Sequence, residues 1–124
     1  METEELRDLV VQVLEDMKAK EVTVLDVEGK TDITDYFIIA SGTSDRHVKS
    51  IAEAVAFQAK LKGEPPLGTE GIDQGEWVLV DLNGVVVHVM QPRVRDFYQL
   101  EKLWSVDTQA AEKLARERGV GGGE

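Results

Sequence analysis

Two apolar runs, Trp77-Val78-Leu79-Val80-Asp81-Leu82 and Val85-Val86-Val87-His88-Val89-Met90, are joined by Asn83-Gly84. Asn-Gly between alternating β-branched residues is the strongest short-range hairpin signal, because both residues tolerate the positive φ of a type I′ turn. With Asn83 and Gly84 as the loop, Leu82 faces Val85, and Asp81, Val80, Leu79 and Trp77 face Val86, Val87, His88 and Met90. Strand periodicity of two then separates two faces. One is wholly aliphatic, with Val78, Val80, Leu82, Val85, Val87 and Val89, and demands a cover of helices. The other mixes Trp77, Leu79, Asp81, Val86, His88 and Met90, and is read as a surface left for a partner.

The rest of the chain supplies that cover. Leu6, Leu9, Val10, Val13, Leu14 and Met17 recur at helical spacing, with Thr3 as the expected N-cap and acids in the first turn to offset the helix dipole. Val22 to Val27 is short and β-branched and reads as a strand. Tyr36-Phe37-Ile38-Ile39-Ala40 is nearly continuous in its apolarity, as in a strand buried on both faces. After Ser41-Gly42-Thr43-Ser44, helical spacing resumes from Asp45 to Leu61 through Val48, Ile51, Ala52, Val55, Phe57 and Ala59, with Ser44 as N-cap. Pro65-Pro66 breaks the chain, and a short edge strand is expected near Thr69 to Ile72. Beyond Gln91-Pro92-Arg93 a last helix is expected from Val94 to Trp104, through Phe97, Leu100, Leu103 and Trp104. Alternating helices and strands with one antiparallel hairpin predict a single-domain α/β sandwich, a mixed sheet flanked by helices. The domain is expected to span residues 1–104. Residues 105–124 are read as a charged, helix-prone extension ending in a glycine-rich tail, because Leu114 is the single large apolar residue of the stretch Asp107 to Arg118.

A chain of 124 residues buries about two thirds of its unfolded surface, so it requires no disulfide or metal staple. It has no cysteine, which removes thiol chemistry and thiolate metal sites. Fourteen Lys and Arg against 24 Asp and Glu leave a net charge of −10. Such a charge opposes unspecific binding to nucleic acid and favours a basic protein partner. The acidic N-terminus is unlike a secretory signal, and no apolar run approaches a membrane span. A cytoplasmic protein without membrane contact is expected.

Three constellations bear on chemistry. Ser41-Gly42-Thr43-Ser44, between a strand and a helix N-terminus, stands where backbone N–H groups could hold a phosphate, but it lacks the Walker lysine and the spaced glycines of a dinucleotide loop. Gly-Ser entering a helix is also a feature of nucleotidyltransferases, which need two acids on a following strand to hold divalent metals. Here that strand offers Asp81 alone, and Asp26 and Glu28 precede the loop, so a nucleotide-binding or nucleotidyltransferase-like enzyme stays the alternative rather than the main reading. His88 lies diagonal to Asp81 with no nucleophile placed beside it, and reads as structural. Two histidines in all make a metal site a poor fit, and no cofactor is expected. Arg95 and Glu101 stand six apart, too far for a direct pair on one helix, and read as a solvated face.

Taken together, Asp32 to Val48, Trp77 to Asp81 with Val85 to Val89, and Arg95-Asp96-Phe97-Tyr98-Gln99-Leu100-Glu101-Lys102-Leu103-Trp104 resemble the ribosomal silencing factor family, RsfS or Iojap-like. The three blocks occur in the family's order. The resemblance implies a nucleotidyltransferase-like fold without the catalytic acid pair, and no enzymatic activity. It implies a factor that binds protein fourteen of the large ribosomal subunit and sterically blocks joining of the small subunit, repressing translation under nutrient limitation. Family positions match Trp77, Asp81, His88, Arg95, Tyr98, Leu100, Glu101 and Trp104. Many relatives carry Gly-Asp at the hairpin tip where this chain has Asn83-Gly84. The expected partner contact is Trp77, Val80, Asp81, Leu82, Asn83 and Val86, with Tyr98 and Glu101 close by. Trp77 is read as its anchor rather than as core, since the opposite face already supplies six aliphatic residues. An apolar strip of Trp77, Leu79, Val86 and Met90 would also leave room for a homodimer.

Overall fold

Strands β2 (Tyr36–Ser41) and β5 (Val85–Met90) lie side by side at the centre of a five-stranded sheet, and both are buried along their whole length. The structure is a computed structural model that describes residues 1–102. The two central strands run parallel, pairing Tyr36 with Val85 through Ser41 with Met90. On one side β1 (Lys20–Asp26) pairs antiparallel with β2. On the other, β4 (Trp77–Asp81) pairs antiparallel with β5, and β3 (Gly68–Glu70) closes that edge. The sheet is therefore mixed and the fold α/β, with helices on both faces.

The hairpin has the expected register. Trp77 lies opposite Met90, Leu79 opposite His88 and Asp81 opposite Val86. Its turn differs from expectation. Asn83 alone takes positive φ, at 74°, so the loop is not type I′. Gly84 is required instead by a close approach: a Cβ there would stand 2.9 Å from the Thr3 methyl, and its carbonyl accepts from the N–H groups of Asp35 and Tyr36. The tip is thus packed on the start of α1 (Thr3–Asp16), whose N-cap is Glu2 and not Thr3, with the Glu5 carboxylate accepting from the Glu2 N–H.

The aliphatic face is covered as its pattern demands. Leu6, Val10, Val13 and Leu14 from α1 and Val48, Ile51, Ala52, Val55 and Ala59 from α2 (Asp45–Leu61) pack on Val78, Val80, Leu82, Val85, Val87 and Val89. Ser44 caps α2 through its Oγ, which accepts from the His47 N–H at 3.1 Å. His47 also joins the two helices, since its Nδ1 accepts from Thr43 N–H and its Nε2 donates to the Met17 carbonyl.

The opposite face departs from expectation. It too is covered, by α3 (Pro92–Tyr98) and the residues that follow, and Val27, Phe37, Ile39, Trp77, Leu79, Val86, Met90, Val94 and Leu100 form a second core. The α3 helix stops at Tyr98 because Gln99 adopts a left-handed conformation with φ 51°. Helical backbone resumes at Leu100. The expected continuous helix to Trp104 is therefore broken, and Leu103, Trp104 and the extension expected over 105–124 lie outside the described residues.

Candidate docking surface

The second core adds Phe37, Trp77 and the buried polar groups His88 and Arg95 to its aliphatic residues, where the first is aliphatic apart from Tyr36. Trp77 donates its indole N–H to His88 Nδ1 at 2.9 Å, which assigns that imidazole nitrogen as an acceptor. His88 lies against Phe37, with ring centroids 4.4 Å apart. Trp77 also packs at a tilt against Tyr98, with ring centroids 5.0 Å apart, and Phe97 meets Tyr98 edge-on at 4.9 Å. The edge-to-face geometry of the last pair is a favourable one for aromatic rings, and the other two pairs are tilted at 36° and 44°. The row runs from the buried interior to solvent: Trp77 is 4% exposed and Phe97 78%.

Phe97 was expected within the apolar helical series, and it instead stands beside a cleft of about 360 Å³ lined by Gln74, Glu76, Trp77, Arg93, Val94 and Tyr98 as well. Trp77, Val94, Phe97 and Tyr98 give it an apolar side. At the rim, Arg93 and Glu76 form an exposed ion pair at 3.7 Å. The loop that presents Gln74 and Glu76 is fixed by Gly75, whose φ is 71° and where a Cβ would meet the Asp45 carbonyl oxygen at 2.7 Å. Gln91 holds it from the other side, donating from its side chain to the Gly75 carbonyl.

The residues expected to meet a partner divide into separate places. Trp77 and Tyr98 come together in the cleft, although Trp77 is buried and not a free anchor. Asp81, half-buried, and Asn83, exposed, stand at the hairpin tip, where the Asp81 carboxylate accepts from the Asn83 N–H. Leu82 is 3% exposed and packs beneath the tip. Val80 and Val86 are fully buried, one in each core. The strip that suggested a second copy, Trp77, Leu79, Val86 and Met90, is covered within one chain. Glu101 lies with Arg95, which is not on a solvated face: its guanidinium is buried and pairs with Glu101 at 2.8 Å. No composition or spacing signal marks the Gln99 turn that makes this pair, or the exposure of Phe97.

The Ser41–Ser44 loop is already engaged. Gly42 N–H donates to the Met90 carbonyl and Thr43 N–H to His47, while the Ser44 hydroxyl serves α2. A Cβ at Gly42 would meet Val48 at 2.8 Å, so this glycine serves strand–helix packing. A phosphate would have to displace these bonds, which argues against the nucleotide alternative.

A second polar group surrounds Tyr36. Arg7 donates to the Tyr36 hydroxyl at 3.1 Å and sits 4.9 Å over its ring. Partial desolvation, reinforced by the charges of Asp26, Asp35 and Glu4, raises the pKa of the exposed Glu28 carboxyl. The Tyr36 hydroxyl is raised as well, by burial first and then by Glu28.

Comparison with known proteins decides the family. The sequence model described as "Ribosomal silencing factor during starvation" matches residues 1–120. The chain belongs to the ribosomal silencing factor (RsfS) family. The family's member from Chromobacterium violaceum is 45% identical over 84% of this chain and 85% of its own length. A crystal structure of a protein from that organism, also 45% identical, superposes with a TM-score of 0.83 over 85% of this chain and 88% of the other. The mouse protein named "Mitochondrial assembly of ribosomal large subunit protein 1" is 36% identical over 87% of this chain and 50% of its own length. Like the sheet topology, these matches agree with the fold class expected from the sequence.

Proposed function

We propose that this protein docks on the large ribosomal subunit, with the subunit's protein fourteen as the contacted surface, and lowers translation under nutrient limitation by occupying space the small subunit needs. Membership of the silencing-factor family over nearly the whole chain is the observation that carries the reading. A relative named for assembly of the mitochondrial large subunit supports the choice of subunit. A net charge of −10 favours a basic ribosomal protein and disfavours settling on ribosomal RNA. The action is excluded volume in the cytoplasm. No bond is made or broken, so the protein is read as a regulator and not an enzyme.

The contact centres on the aromatic cleft. Interface energy concentrates in a few large aromatic side chains seated in desolvated pockets, and Phe97 is the exposed aromatic beside such a pocket. Trp77 and Tyr98 stiffen it from behind. Asp81 and Asn83 at the hairpin tip form the outer contact, Val80, Leu82 and Val86 shape it from within, and Glu101 acts through Arg95. The covered strip gives no reason to invoke a second copy. Co-sedimentation with purified subunits tests the reading. The protein is expected to pellet with large and not with small subunits, and to release as salt is raised, because opposite charges steer the encounter. Pelleting with small subunits alone would overturn it.

A further inference from the structure

Arg95 is only 6% exposed, and all three of its guanidinium nitrogens donate hydrogen bonds. Its Nε donates to Glu101 Oε2 at 2.9 Å. Nη1 donates to the Glu21 carbonyl at 2.8 Å and to Ser41 Oγ at 2.9 Å. Nη2 donates to Thr23 Oγ1 at 3.0 Å and reaches the same Glu101 oxygen at 2.8 Å. One side chain on α3 thus joins β1, β2 and the segment after the helix.

It also touches two backbone irregularities. Glu21 and Gln99 are ordinary residues in left-handed conformations, with φ of 49° and 51°. The Glu21 carbonyl, beside the register shift between Lys20 and Thr23, is held by Nη1. The Gln99 N–H donates to the carbonyl of Arg95 itself at 2.9 Å. The reversal at Gln99 brings Glu101 back to the guanidinium and buries Leu100 in the second core, while Phe97 stays in solvent. Tyr98, the residue just before the reversal, is the one that stacks on Trp77.

We propose that Arg95 is the positioning residue of the aromatic cleft: its four hydrogen bonds and its ion pair with Glu101 fix the reversal at Gln99, and so hold Tyr98 against Trp77 and Phe97 at the cleft mouth. The proposal rests on the reading of that cleft as the docking surface. A planar fork whose three nitrogens donate in different directions is what the arrangement requires. Lysine keeps the charge but offers three donors from one point, and cannot reach β1, β2 and Glu101 together.

The test uses the full chain in a Trp104→Phe background, which leaves Trp77 as the sole indole. Arg95→Lys is expected to keep a cooperative denaturant transition, to shift Trp77 emission to the red with easier acrylamide quenching, and to weaken co-sedimentation with large subunits at least tenfold. Phe97→Ala is expected to weaken binding and leave Trp77 emission unchanged. If Phe97→Ala binds as tightly as its Trp104→Phe parent, the docking reading fails. If Phe97→Ala loses binding while Arg95→Lys binds within twofold of that parent, or keeps the parent's emission, the positioning role fails and the docking reading stands. Should Arg95→Lys show no cooperative transition, Glu101→Gln decides on the same two readouts. A red shift with weaker binding supports the proposal, and no change in either overturns it.

Discussion

The two faces of the sheet are covered by different chemistry, and the difference separates what holds the protein together from what it offers to others. Toward α1 and α2 the cover is aliphatic, repetitive and continuous. Toward α3 it is a short helix of seven residues, an aromatic row and one buried arginine, with a cleft left open beside Phe97. Nondirectional burial suffices for the first face, since any well-filled aliphatic layer stabilises the sheet. The second relies on specific partners, such as Trp77 with His88 and Arg95 with Glu101, which fix geometry as well as stability.

Trp77→Ala tests the contrast most severely. It removes the largest side chain of the second core and the donor to His88 Nδ1, so we expect a loss of about 3 to 5 kcal/mol, seen as a lower denaturant midpoint. That is a large part of the total stability of a domain of this size. A near-wild-type midpoint would mean that Trp77 is an interface residue after all. Phe97→Ala should do the reverse. With the ring 78% exposed, stability should stay within about 0.5 kcal/mol. Binding to large subunits should fall by about 2 kcal/mol, roughly thirtyfold. On the aliphatic side, Ile51→Val should lower stability by about 1 kcal/mol and leave binding unchanged. A binding defect there would blur the division between the faces.

The smallest effect concerns Glu28. Its native carboxyl binds a proton more tightly than in the unfolded chain, whose reference is 4.5, so stability falls as pH rises through the interval between the two values. Glu28→Gln removes that penalty. The variant should be slightly more stable than wild type at neutral pH, and the gain should vanish well below pH 4.5, as denaturant midpoints at the two pH values would report. The surface setting screens the charges and keeps the effect small.

Legibility in the sequence follows the same division. Wherever one local rule acts alone, the residues state the outcome. Asn83-Gly84 sets the hairpin register, Tyr36 to Ala40 is buried on both sides, and Ser44 caps α2. The turn type was not legible, because Gly84 answers to Thr3, a residue far away in the chain. Nor was the Arg95–Glu101 pair. On a continuous helix the two point about 120° apart, and only the left-handed turn at Gln99, unmarked by glycine, brings them together. Trp77, read as an anchor because the opposite face already holds six aliphatic residues, lies in the second core, and Phe97, placed in the apolar helical series, stands in solvent. The site is therefore the part of the molecule in which tertiary contacts override local pattern.

Subunit joining tests the central claim most directly. Purified large subunits are preincubated with increasing amounts of the protein, small subunits are added, and light scattering follows formation of the joined ribosome. Suppression is expected to saturate at one protein per large subunit and to be lost with Phe97→Ala. Joining at the normal rate and extent with large subunits fully occupied by the protein would contradict it.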